Sequence, residues 1–223
     1  MQSLAIGTEA TLHAASADSY GECGRLTDAD RAAIVRHLCA LSGHDLEMRF
    51  GAALTASAIE RNVERIDFDR DIVLASFGVA GTLQGLAQVM RLPGVDSVAE
   101  VAFSVHPSMR RQGVGTRLMQ VVLHAARAHG IVRLVAQVCP RNFPMLTILR
   151  RAGMCFVRED GEMIGTLNVA RAPHAYPMQP CAWLRKEPAT KSATIGSPPW
   201  FLRQSVGAQE REGLCTHRCG PFQ

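Results

Sequence analysis

The spacing of apolar positions changes several times along the chain, and each change marks an element. Ile34, Leu38 and Leu41 recur at helical spacing behind Thr27 and Asp30, which stand three residues apart as in a capping box. A helix is therefore predicted from about Thr27. A second is predicted from about Thr55 to Arg65, and then the period shortens. Ile72 to Phe77 and Leu83 to Met90 read as strands joined by a turn around Gly78 to Gly81. Ser97 to Val105 alternates cleanly before Pro107 ends it. Val101, Phe103 and Val105 fall on one face, and Glu100, Ala102, Ser104 and His106 on the other. From Gly113 to about His129 a helix carries Val114, Leu118, Val121, Val122 and Ala125 on one stripe, with Gly130 as its stop. Ile131 to Val138 is a buried-looking strand, Asn142 to Ala152 a short helix, and Met163 to Ala170 a last strand.

This order of elements predicts an α/β (α+β) fold with a mixed central β-sheet flanked by helices. Residues 1–20 read as a frayed extension with room for one short strand near Thr11 to Ala14, and residues 21–187 as one domain. Residues 188–223, rich in Ser, Thr, Pro, Gly and charge, read as a disordered tail. At 223 residues, 47% hydrophobic and 20% charged, the chain has the make-up of a soluble globular protein. Its longest nearly apolar run, Ile72 to Leu83, falls well short of the ~20 residues that span a bilayer, so no membrane partner is expected. No basic residue precedes the first apolar positions, which argues against a secretory signal and for a cytoplasmic location. Seven cysteines in no framework spacing fit reduced thiols. Cys215, His217 and Cys219 lack a second ligand pair, so no metal site is expected. The net charge of +4 suits an anionic ligand, while scattered basic residues without interleaved aromatics argue against nucleic acid.

The strongest chemical signal is the segment Val105-His-Pro-Ser-Met-Arg110-Arg111-Gln112-Gly113-Val114-Gly115-Thr116. A strand ends, a short basic turn follows, and two glycines open an amphipathic helix. Helix-start N–H groups and the positive end of the helix dipole favour an anion there. Glycine lets backbone come close to it, and two arginines add full charge. The residues alone therefore point to phosphate binding. The same glycines would also serve a turn with tight packing and no ligand. Gly115 is followed by Thr116 and Arg117 with no lysine, so a mononucleotide P-loop fails. Leu118 at the sixth position of the dinucleotide fingerprint fails too.

Arg110-x-x-Gly113-x-Gly115 resembles the [Gln/Arg]-x-x-Gly-x-[Gly/Ala] motif of the GNAT superfamily of N-acetyltransferases. Downstream, Asn142, Met145-Leu146 and Arg151-Ala-Gly153-Met154 resemble the family's Asn…Gly-Phe helix, with Met154 in place of the aromatic. Within the superfamily the pattern is closest to bacterial protein lysine acetyltransferase domains. Arg49-Phe50, the Ile66-Asp67-Phe68-Asp69 segment and Ala99-Glu100-Val101-Ala102 carry that likeness.

The resemblance implies acetyl-CoA as co-substrate and direct attack of an amine on its thioester. It implies cofactor contacts from Phe103, Ser104 and Val105, from Arg110, Arg111, Gln112, Gly113, Val114, Gly115 and Thr116, and from Asn142 and Met145. The Phe103–Val105 backbone would pair with the pantetheine arm, and an N–H there would stabilise the developing oxyanion. Glu100 is the candidate base and His106 a rival. Leu149 stands where many relatives carry the tyrosine that protonates the leaving thiolate, and Cys139 reads as a structural thiol. Two classes of function follow. One is an acetyltransferase acting on a protein lysine or a small amine; the other is a non-catalytic acyl-CoA-binding module. Oligomeric state, acyl-chain preference and the acceptor's identity stay open.

Overall fold

A computed structural model of the protein describes residues 23–78 and 81–172. The strand expected near Thr11 and the tail after residue 188 lie outside them. The chain runs β1 (Cys23–Arg25), α1 (Arg31–Cys39), α2 (Gly43–Phe50), α3 (Ala56–Glu64), β2 (Ile72–Phe77), β3 (Leu83–Leu92) and β4 (Val95–Val105). It continues through α4 (Val114–Ala128), β5 (Arg133–Val138), α5 (Phe143–Arg151), β6 (Cys155–Glu159) and β7 (Glu162–Asn168). One seven-stranded sheet has the order β1-β2-β3-β4-β5-β7-β6, antiparallel except where β4 meets β5. No helix among the described residues is long and apolar enough to cross a membrane.

Helices cover both faces of the sheet, which is why β2 reads as unbroken Ile-Val-Leu-Ala rather than an alternation. Ile72 and Leu74 enter a core with α4 and α5, built around Leu118, Val121, Val122, Leu134 and Leu149. Val73 and Ala75 enter the opposite core, with Ile34 and Leu38 of α1, Leu46 of α2, and Ile59 and Val63 of α3. The capping pair forms as expected: Thr27 N–H donates to Asp30 Oδ2 at 2.8 Å, opening a single 3-10 turn that leads into α1. Gly130, at φ 71°, ends α4.

Three elements escaped the reading of the sequence. β1 is three residues long and among the described residues pairs with β2 alone, too short to show a period. α2 buries Leu46 alone, so it carries no apolar stripe. Its signal was the box at its start, where Ser42 Oγ donates to Asp45 Oδ2 at 2.6 Å. β6 is a largely exposed edge strand hairpinned to β7 through Asp160 and Gly161, both at positive φ, as an Asp-Gly turn demands. Boundaries moved as well. The last strand ends at Asn168, and Val169–Arg171 turn instead.

β4 pairs with β5 only at Val98↔Arg133, Ala99↔Leu134 and Glu100↔Val135. Beyond Glu100 the two parallel strands no longer pair, whereas β4 stays in register with β3 as far as Val105.

Candidate functional site

The opening past Glu100 exposes a particular set of backbone groups. His106 N–H donates to Gln84 O across β3 at 2.8 Å. Backbone groups alternate in direction along a strand. Those of Ser104 and Ala102 therefore also face β3, and those of Val101, Phe103 and Val105 face the opening. The rim is apolar: Phe103, Val105, Met109, Met145 and Ile148 are partly buried against the α4 core. This edge offers hydrogen-bonding backbone and greasy walls at once, which suits a flexible amide-bearing chain laid along it.

The glycine loop sits at the top of the opening. Pro107–Met109 make a 3-10 turn, Arg111 takes φ 63° and Gly113 φ 79°, and α4 begins. A non-glycine residue in the left-handed region is uncommon and costs energy, so the loop is held in a demanding shape. Gly113 is the N-cap of α4 and supplies no side chain to its first N–H groups, which leaves them for an anion. The loop braces itself: Gln112 Nε2 donates to Ser108 O at 2.9 Å, and Ser108 Oγ lies 2.8 Å from His106 Nδ1.

The two glycines do different work. A Cβ on Gly113 would meet nothing within 4 Å, so its need is conformational. A Cβ on Gly115 would come within 2.8 Å of Ile148 Cδ1, so that glycine lets α4 approach α5. Val114 is likewise a core residue, 3% exposed, and only the backbone of this pair is available to a ligand. Asn142 serves as N-cap of α5, its Oδ1 accepting from Met145 N–H at 3.3 Å, beside the open end of β5. The structure thus brings the β4 edge, residues 110–116 and the start of α5 to one end of the sheet.

On the other face, Ser104 does not point into the opening. His37 of α1 lies over it, with Nδ1 3.3 Å from Leu83 O and Nε2 2.9 Å from Ser104 Oγ. A carbonyl only accepts, so Nδ1 carries the proton and the Ser104 hydroxyl donates to Nε2. Burial, aided by the charge of His106 and opposed by the Leu83 bond, lowers His37 to about 4. The imidazole is neutral. Ser104 therefore spends its backbone groups on β3 and its hydroxyl on His37.

Glu100 lies on that same face, where the strands part. Burial pushes its carboxyl up from the usual range, and the positive charge of Arg49 pulls it down. Arg49, near the end of α2, donates through Nη2 to Gln88 Oε1 and stacks over the Phe50 ring at 4.6 Å. Burial lowers it to about 10, and the negative charge of Glu100 resists. His106, by contrast, is bound up with Ser108 at the loop. At the other end of α2, Arg110 Nη2 meets Asp45 Oδ1 at 2.7 Å. Asp67 Oδ1 accepts from Asp69 and Arg70 N–H groups, so it caps a turn. Leu149 is fully buried, and nothing acidic occupies that place.

His37, Gln88 and Asp45 were not singled out from the sequence. Gln88 and His37 did leave a trace, as polar residues at positions where the apolar pattern calls for core.

Residues 45–154 match the model of the Acetyltransferase (GNAT) family. Acetyltransferase Pat of Mycolicibacterium smegmatis is 32% identical over 92 residues, which make up 41% of this chain and 28% of that protein. The chain thus spans little more than a quarter of that relative. The GNAT domain of S. lividans PAT superposes with a TM-score of 0.57 at 26% identity, over 66% of this chain and 89% of that one. An acetyltransferase structure from Salmonella typhimurium, described as putative and holding acetyl-CoA, shares the fold. Its TM-score is 0.54 at 20% identity, over 73% of this chain and 100% of that one.

Proposed function

Because the chain carries a GNAT acetyltransferase family domain, we propose that it is an acetyl-CoA-dependent N-acetyltransferase whose acceptor is a protein lysine. The observation that carries the first half is the parting of β4 from β5 at Glu100, directly below a loop shaped for phosphate. In this reading acetyl-CoA supplies a thioester that an amine attacks directly. Phe103 and Val105 bind the pantetheine amides through backbone groups. The N–H groups from Gly113 to Thr116, with Arg110 and Arg111, hold the pyrophosphate. A lysine amine is mostly protonated at neutral pH, and Glu100 takes that proton. A backbone N–H of the same edge stabilises charge on the thioester oxygen. With Leu149 in the family's tyrosine place, the departing thiolate takes its proton from water.

The lysine acceptor rests on the likeness to the Pat proteins and on Arg49-Phe50, Asp67, Asp69 and Glu100, a fold-family argument that carries substrate class weakly. A small amine is the second reading, since the half-buried carboxylate of Glu100 would serve either. Incubation of purified protein with acetyl-CoA, a lysate and a panel of free amines separates them. Enzyme-dependent lysine acetylation supports the first reading, and rapid acetylation of polyamines or amino sugars alone supports the second. No thiol release with any acceptor would defeat both and leave a binding module. The background is low, because the only lysines in the chain are Lys186 and Lys191.

A further inference from the structure

A half-buried arginine needs a reason to be there, because desolvating a guanidinium even in part is costly unless hydrogen bonds and an opposite charge compensate. Arg49 has its hydrogen bond in Gln88 and an aromatic face in Phe50, both neutral. Its counter-charge is found through the sheet register. Gln88 pairs with Ala102 and Met90 with Glu100, so all four side chains share one face. Gln88 and Glu100 are diagonal neighbours, roughly 7–8 Å apart along the sheet, within reach of one arginine. Yet among the described residues no ion pair with Glu100 closes within 4.0 Å. Gln88 holds the guanidinium beside the carboxylate without letting the two lock together.

We propose that Arg49, anchored by Gln88, is a positioning residue for Glu100: a fixed positive charge that keeps the carboxylate ionised while leaving its oxygens open to the amine. A tight salt bridge would occupy the oxygens that must receive the proton. A neutral neighbour would leave burial unopposed in raising the carboxyl, and a carboxyl that keeps its proton is no base. The opposite charge acting on Glu100 is that of Arg49. Met90 on β3 and Val135 on β5 are apolar, and neutral His37 is held at Ser104, four residues along β4. Arg133 of β5 stands beside Val98, two residues back on the same face. The inference rests on the reading of Glu100 as the base.

The test is the acid limb of turnover against pH, in the parent, Arg49→Gln, Arg49→Lys and Glu100→Gln proteins. CoA affinity is measured in each to show that the cofactor end is intact. Arg49→Gln should move the limb up by about one pH unit or more, the usual effect of an opposite charge at this range. Arg49→Lys should bring it back towards the parent, and Glu100→Gln should abolish it. Titration of the Glu100 carboxyl by 13C NMR, in parent and Arg49→Gln, should show the same upward move without turnover. If Arg49→Gln leaves both limb and carboxyl titration in place while Glu100→Gln abolishes the limb, the role of Arg49 is overturned and the base stands. If Glu100→Gln keeps the parent's limb, both fall together.

Discussion

Arg110 Nη2 lies 2.7 Å from Asp45 Oδ1, so the arginine that opens the glycine loop is tied to the first turn of α2. The same aspartate accepts from Ser42 in the capping box, and those bonds together hold its carboxyl below the usual range although burial opposes them. Arg110 is about half exposed there. A phosphate entering the loop competes with Asp45 for the same guanidinium. Asp45→Asn should therefore tighten CoA binding, by no more than about fivefold, since partly exposed pairs contribute roughly 0–1 kcal/mol. Arg110→Ala should weaken it by about 1–3 kcal/mol. Calorimetry on the double mutant reads the coupling. If Asp45→Asn helps equally with and without Arg110, the ion pair plays no part.

The two loop glycines should fail differently. Gly113→Ala strains the backbone at a positive φ, costing roughly 1–2 kcal/mol, and should weaken CoA binding with it. Gly115→Ala drives a methyl into Ile148 and should lower the thermal midpoint first. Ile148→Val removes the atom it meets, so the pair Gly115→Ala with Ile148→Val should recover much of that midpoint. Absence of any recovery would mean the glycine serves something other than packing on α5.

Glu100→Gln should cut turnover at pH 7 by roughly 10²–10⁴, the usual contribution of a general base, with CoA affinity little changed. Part of the rate should return at high pH, where more of the amine is already neutral. Parent-like turnover at pH 7 would remove Glu100 from the mechanism.

His37, which is buried, and Asp71, which is half-buried, set opposing pH dependences of stability. His37 is lowered from 6.5 to about 4, so the unfolded chain binds more protons than the fold between those values. Its contribution is present above about pH 6.5 and is lost as pH falls through 4, on the order of 3 kcal/mol in all. Asp71 is raised by burial from 3.8 to about 6, against a hydrogen bond from Arg91 N–H at 3.2 Å. The fold then binds the extra proton, and the stability it contributes below pH 3.8 is lost as pH rises through 6. Between about pH 4 and 6 the two slopes offset. Asp71→Asn should expose the His37 slope, with stability falling more steeply on acidification, and His37→Asn should reverse it. Denaturant midpoints at pH 4, 5, 6 and 7 would reveal this, and identical slopes in all three proteins would refute it.

Most of the sheet and its helices were legible in the sequence, because each long element buries a face and its period shows on the chain. Ile34, Leu38 and Leu41 marked α1 in this way, and Val101, Phe103 and Val105 set the faces of β4. The glycine loop was legible too, since Gly113 is required by local backbone geometry. What the sequence could not show is where elements meet. The parting of β4 from β5 after Glu100 depends on how two strands diverge in space, and neither strand's residues announce it. Gly115 was expected at the ligand, and its packing duty appears only in space, where Ile148, thirty-three residues on, fills the room a Cβ would need. Ser104 was expected at the cofactor, and its hydroxyl went to a histidine sixty-seven residues earlier. Periodicity is a property of one segment facing one core, so it survives in the sequence. Charge pairs such as Arg110 with Asp45, and the row Arg49, Gln88, Glu100, join segments whose separation along the chain carries no signal. Only tertiary packing, which desolvates these groups together and fixes their distances, gives them a shared electrostatic role.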